Sequence, residues 1–206
     1  MDSYRTVRCE AHDEFTEKRS RFIGHAFPVQ SVEEAEAAVK KIRSQYWDAR
    51  HNVYAFSLLA GNAVRSSDDG EPQGTAGAPV RDVLLGMGVT DCCVVVTRYF
   101  GGILLGAGGL VRAYTQAAQL ALQKAGIKTM AQGVSLRIVC GYSAYSGVKA
   151  LICSSGGVIE EELFTENAQI DFCLKKAHLL SFTAKLTELT NGKLIAEQTG
   201  EKFFEI

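Results

Sequence analysis

The sequence predicts an α+β protein built from two domains. Three observations carry that expectation. The first 130 or so residues mix strand-like and helix-like runs with long glycine-bearing loops. From about residue 134 the pattern changes to strand, helix, strand, strand, helix, strand, the βαββαβ order of a split unit. Hydrophobic residues make up 47% and charged residues 22%, the balance of an ordinary globular chain.

In the first domain, taken as residues 1–130, strands are expected at 4–11 and 21–29, with the basic stretch Lys18-Arg19-Ser20-Arg21 between them. A helix is expected over about 32–46. Ser31 can cap it, Glu34 sits at the answering position of a capping box, and Ala35, Val39, Ile42 and Tyr46 mark one face. Residues 52–60 read as a buried strand, and a long polar loop follows. Pro79 can open a short helix reaching about Met87. Residues 92–100, CCVVVTRYF, are the most strand-like run. A glycine-rich turn then enters a helix at about 109–125, with Gly126 as its stop. The second domain, taken as 134–206, contains strands at 135–142, 158–165, 168–176 and 193–206, and helices over 143–156 and 179–192.

With 22 basic and 23 acidic residues, no global field draws this chain onto nucleic acid or an anionic membrane. Any such contact needs a local patch. Cys9, Cys92, Cys93, Cys140, Cys153 and Cys173 form no C-x-x-C pair, and no histidine stands at finger spacing, which argues against a metal site. Adjacent Cys92 and Cys93 point to opposite faces of their strand. Reduced thiols, a polar start without an apolar signal segment, and no apolar run near 18 residues predict a cytoplasmic protein without a membrane span.

Two segments concentrate the candidate chemistry. The first runs from Ser66 to Gly77, with Asp68, Asp69 and Glu71 inside four residues. Three carboxylates so close repel one another, and a cation, basic side chains or loop N–H groups would stabilise them. Either the loop touches a ligand, a metal or a partner, or it is a solvated connection whose glycines take up positive φ. The spacing does not fit a calcium-binding helix–loop–helix.

The second runs from Thr97 to Tyr114 and places Gly101, Gly102, Gly106, Gly108 and Gly109 between a strand and a helix, with Arg98, Tyr99 and Arg112 alongside. Such a turn can offer N–H groups and a positive helix end to phosphate. Equally, its glycines can serve close helix–sheet packing. The dinucleotide fingerprint fails at Val111, and no G-K-[ST] follows. His12, His25, His51 and His178 share no motif spacing. No nucleophile motif is present, so no catalytic residue and no cofactor are assigned.

DDGEPQGTAG followed by Pro79, and RYFGGILLGAGGLVRAY, resemble the two hallmark blocks of the IMPACT/YigZ family (UPF0029). KRSRF at 18–22 and DARHNVYAF at 48–56 fit its upstream blocks, whereas Gln45-Tyr46-Trp47 departs from it. The resemblance implies a first domain similar to ribosomal S5 domain 2 and to domain IV of elongation factor G. It implies a ferredoxin-like second domain similar to domain V of that factor. Eukaryotic relatives regulate translation by interfering with an initiation-factor kinase through a partner protein. For bacterial members the resemblance implies contact with RNA, the ribosome or a translation-related protein. Arg98, Arg112, Tyr99 and Tyr114 would form the contact surface, extended by Lys18, Arg19 and Arg21. An alternative is a small-molecule enzyme whose Gly106–Gly109 turn holds a phosphorylated ligand or nucleotide, with Asp68, Asp69 or Glu71 on magnesium.

Overall fold

The computed structural model describes residues 3–206. The chain divides into two compact units, one over residues 4–128 and one over 129–206 together with residue 3. The strands of the first unit are β1 (Ser3–Val7), β2 (Ala11–Glu17), β3 (Ser20–Pro28), β4 (His51–Ser57), β5 (Val64–Ser67) and β6 (Cys92–Tyr99). Its helices are α1 (Val32–Gln45), α2 (Gly77–Gly86) and α3 (Ala107–Ala125). The five-stranded sheet has the order β2-β3-β6-β4-β5, with every neighbouring pair antiparallel.

Two strand expectations need correction. The run expected at 4–11 is two strands, with the break at Arg8–Glu10. The polar loop after residue 60 contains β5. Both β2 and β5 lie at sheet edges, where one flank and one face meet water, so AHDEFTE and VRSS lack the apolar signal of a central strand. The central strands β3 and β6 are buried on both faces and read as continuous apolar runs.

The two faces hold separate cores. Phe22, Val94, Val96 and Ala26 pack on α2 and α3, through Val80, Leu84, Tyr114, Ala117 and Ala121. Phe27, Phe56, Cys93 and Val95 pack on α1, through Ala35, Val39 and Ile42. Cys92 and Cys93 fall in opposite cores, as strand alternation requires, and all six cysteines are free. Gly24 lets α3 approach the sheet: a Cβ there would collide with the main-chain oxygen of Ala117. Helix α1 starts at Ser31, whose hydroxyl accepts from the Glu34 N–H at 3.2 Å. The Glu34 carboxylate reaches back to the N–H of Gln30 at 2.7 Å, one residue before the partner a capping box would use.

The second unit is formed by β7 (Ile127–Cys140), α4 (Tyr142–Ser154), β8 (Val158–Phe164), β9 (Ala168–Lys175), α5 (Leu179–Thr190) and β10 (Glu197–Glu205). β9 and β10 flank β7 and β8 lies outside β9, all antiparallel. Alternate residues Val134, Leu136, Ile138, Ile170, Phe172 and Leu174 meet Val148, Ile152, Phe182 and Leu186, so both helices cover one face. Asn191, in the left-handed conformation, ends α5. Among the described residues no helix is long and apolar enough to cross a membrane.

Candidate functional site

The site is assembled at one end of the first sheet, where β3 begins, β6 ends and α3 starts. The two glycine-bearing segments meet there, at a buried ion pair. Arg98 is 5% exposed and Glu71 9%. The Arg98 guanidinium donates through Nη1 to Glu71 Oε1 at 2.6 Å. The hydroxyl of Tyr114 on α3 donates to the same oxygen at 2.7 Å. Tyr114 is fully buried and packs edge-on against Phe22, with ring centroids 5.3 Å apart. Burial first, and then the Glu71 carboxylate, push its hydroxyl far above the ordinary tyrosine range. Arg98 lies over the rings of Phe22 and Phe100, each 5.5 Å away, and its Nε finds no partner among the described residues.

Arg98 and Glu71, read from the sequence as contact residues, are therefore turned inward against each other. Strand β6 is central, so the side chain of Arg98 enters a packed layer, and a buried charge persists only when paired. Tyr114 is likewise no surface ring. Tyr99 is half-buried and donates to Asp48 Oδ1 at 2.7 Å. Burial first, and then the hydrogen bond to Asp48, raise its hydroxyl to about 12.

The remaining loop carboxylates have protein partners as well. Asp68 Oδ1 accepts from the N–H groups of Ala76 and Gly77 at 3.1 and 2.7 Å, and Oδ2 from Gly74 at 2.8 Å. The side chain thus caps the N-terminus of α2 from eight residues upstream. Asp69 accepts from the Asn52 N–H at 2.7 Å and pairs with Arg43. Its main-chain oxygen lies 2.9 Å from His51 Nδ1. Asn52 in turn accepts from Thr97 at 2.7 Å, tying the loop to β6.

Burial alone would raise the Asp68 carboxyl, but the N–H groups of Gly74, Gly77 and Ala76 together outweigh it and hold it below the ordinary 3.8. A depressed carboxylate contributes stability that is present above the unfolded value and lost as pH falls through the folded one. Asp68→Asn removes that dependence. Thermal unfolding followed from about pH 5 to about pH 2 should fall less steeply in the variant than in the wild type.

The open part of this corner lies beside the ion pair. Lys18 and Arg19 form the two-residue turn of the β2–β3 hairpin, with φ of 43° and 65°. These left-handed values match the mirror-image turn that hairpins favour, and residues other than glycine or asparagine adopt them at a cost. The tip is held by Gly101. A Cβ on Gly101 would collide with the main-chain carbonyl of Arg19, and the Gly101 N–H donates to the buried Ser20 hydroxyl at 3.2 Å.

A cavity of about 180 Å³ adjoins the tip, and its lining includes Glu17 and Lys18 from the hairpin, Leu105 from the loop, and Gly109, Arg112 and Gln116 from α3. Arg112 extends back along the helix, with Nη1 3.9 Å from where a Gly108 Cβ would stand. Helix α3 is entered through Gly106, its N-cap with φ 73°, and has no side-chain cap and no acidic residue in its first turn. Gly102, with φ 82°, opens the turn that leads to it.

Among the described residues Lys18, Arg19 and Arg112 form no ion pair, whereas Arg21, Arg43, Arg65, Arg81 and Arg98 each do. The structure therefore gathers Gly101, Gly102, Gly106, Gly108, Gly109 and Arg112 with Lys18 and Arg19. It separates them from Asp68 and Asp69, which brace the loop. The sequence reading left out the exposed Ile103 and Leu104. Two aliphatic residues between glycines in a loop were the available signal.

Residues 18–122 match the Impact N-terminal domain, and residues 138–193 match a domain of unknown function, DUF1949. The chain is 35% identical over 194 residues to the IMPACT family member YvyE of Bacillus subtilis, covering 94% of this chain and 89% of that one. It is 36% identical over 180 residues to the IMPACT family member YigZ of Escherichia coli, covering 86% and 88%. Protein IMPACT of Rattus norvegicus shares 32% identity over 97 residues, 44% of this chain and 30% of that protein. A solved structure titled as a hypothetical protein superposes with a TM-score of 0.63 at 34% identity, covering 95% of this chain and 97% of that one. The first-domain match includes the hairpin tip, the carboxylate loop and the glycine turn, and with these long alignments it makes the chain a member of the IMPACT family.

Proposed function

We propose that this protein is a non-enzymatic, cytoplasmic binding module of the translation apparatus that contacts RNA through the Lys18–Arg19 hairpin tip, Arg112 and the start of α3. One observation carries the reading. Lys18 and Arg112, neither in an ion pair among the described residues, line one cavity beside an uncapped 19-residue helix, with Arg19 next to Lys18 in the hairpin turn, whereas Arg21 and Arg98 are neutralised. Unpaired guanidinium and ammonium groups next to helix N–H groups suit phosphate oxygens. The first unit then corresponds to ribosomal S5 domain 2. The second corresponds to a ferredoxin-like unit, a reading supported by the pairings β10 with β7, β7 with β9 and β9 with β8, with both helices on one face. The nucleotide-enzyme alternative loses its support, because Asp68, Asp69 and Glu71 are each held by protein donors.

The test is RNA binding across a salt series. Each phosphate contact removed should lower the slope of log affinity against log salt by roughly 0.7–0.9. Lys18→Ala and Arg112→Ala are expected to do so, and Arg81→Ala, paired with Asp82 on α2, is not. Absence of binding at low salt, or slopes equal in all variants, would remove the reading.

A further inference from the structure

We propose that the turn between β6 and α3 is an apolar wedge. In this view Ile103 and Leu104 enter between bases of the nucleic acid whose phosphates Lys18, Arg19 and Arg112 hold. The inference rests on the RNA reading above and adds how the contact distorts its target.

The turn is fixed at both ends and exposed in the middle. At one end Gly101 presses on the main chain of Arg19. At the other, Leu105 lines the cavity shared by Lys18 and Arg112, and its Cβ lies 2.9 Å from where a Gly109 Cβ would stand. Between these anchors Leu104 is 81% exposed and Ile103 42%. The left-handed glycines Gly102 and Gly106 bracket the pair. Scattered exposed aliphatics need no explanation, but two in succession, on a turn bound at both ends and flanked by free cations, form a protruding apolar edge.

Charge complementarity selects the occupant. A polyanion with closely spaced charges satisfies three neighbouring cations at once. Aliphatic wedges that unstack a base step, set among basic residues, are a recurrent way of bending or opening a duplex. Aromatic stacking does not describe this corner, because Tyr114 is buried and Tyr99 is bonded to Asp48. A lipid surface is a poorer fit. Even a full myristoyl chain gives only marginal membrane attachment, and two side chains offer less apolar surface than that.

The experiment uses the full chain and a short RNA duplex carrying a fluorescent base analogue that brightens when unstacked. Wild-type protein at low salt should raise the fluorescence. The double variant Ile103→Ser, Leu104→Ser should abolish the rise while leaving the salt slope intact. Lys18→Ala with Arg112→Ala should lower both affinity and slope. Both residues of the first pair are exposed, and unchanged thermal melting of that variant verifies its fold.

Salt-dependent binding by the wild type without any fluorescence change would overturn the wedge and leave the RNA reading standing. No binding at low salt would overturn both. A serine pair that loses binding to anionic phospholipid vesicles, with RNA binding and fluorescence unaltered, would assign the apolar edge to lipid instead.

Discussion

Replacing Glu71 with alanine is expected to destabilise the first unit by about 3–5 kcal/mol, because it strands the Arg98 guanidinium in a buried layer. The pair is sealed on both sides, at 5% and 9% exposure, so water cannot take over as partner. Arg98 Nε already lacks an acceptor, and the loss of Glu71 would leave Nη1 without one too. Tyr114 would lose its acceptor at the same stroke. Glu71→Gln keeps an oxygen for that hydroxyl and should fall between alanine and wild type. Replacing both members, as Arg98→Met with Glu71→Leu, should recover the part of the loss due to the stranded guanidinium, since Phe22 and Phe100 already supply apolar neighbours, and leave only the cost of the unpartnered Tyr114 hydroxyl. Urea unfolding followed by circular dichroism measures all four proteins. A cost below about 1 kcal/mol for Glu71→Ala would mean that the pair is solvated and the network has no structural role.

That network also explains which parts of the site were legible in the sequence. The glycines around residues 101–109 announced a strand–turn–helix junction because glycine, lacking a Cβ, adopts left-handed backbone readily, and Gly102 and Gly106 do so. Helix α3 was legible because Leu110, Tyr114, Ala117 and Ala121 recur at helical spacing, and all four are buried. The direction of Arg98 was not legible. A strand alternates its side chains, but β6 is covered on both faces, so alternation alone cannot distinguish inward from outward. Only the partner 27 residues away, Glu71, decides it. The capping of α2 by Asp68 was hidden for the same reason. The usual cap lies next to the helix, whereas this one reaches in from a loop and binds N–H groups six to nine residues on. The edge strands β2 and β5 were missed because exposure on a face and a flank removes the apolar pattern that marks their inner neighbours.

Gly101→Ala should separate the shape of the corner from its charge. Every cation remains, yet the added methyl would overlap the carbonyl carbon and oxygen of Arg19, which are main-chain atoms with no rotamer to change. The hairpin tip must lift. Its turn already holds two non-glycine residues at left-handed φ, and the Ser20 hydroxyl that accepts the Gly101 N–H would be pulled from register. Overpacking of this kind costs about 1–3 kcal/mol. Lifting the tip withdraws Lys18 from the cavity it shares with Arg112, so RNA affinity at fixed salt should fall by about tenfold or more, equivalent to at least ~1.4 kcal/mol. Gly86→Ala is the matching control: it meets no atom within 4 Å on an exposed part of α2, and helix propensity predicts slight stabilisation with binding unchanged. If Gly101→Ala melts and binds like the wild type, the hairpin is not positioned by this contact. Lys18 and Arg112 would then act as independent surface charges rather than as one preformed grip.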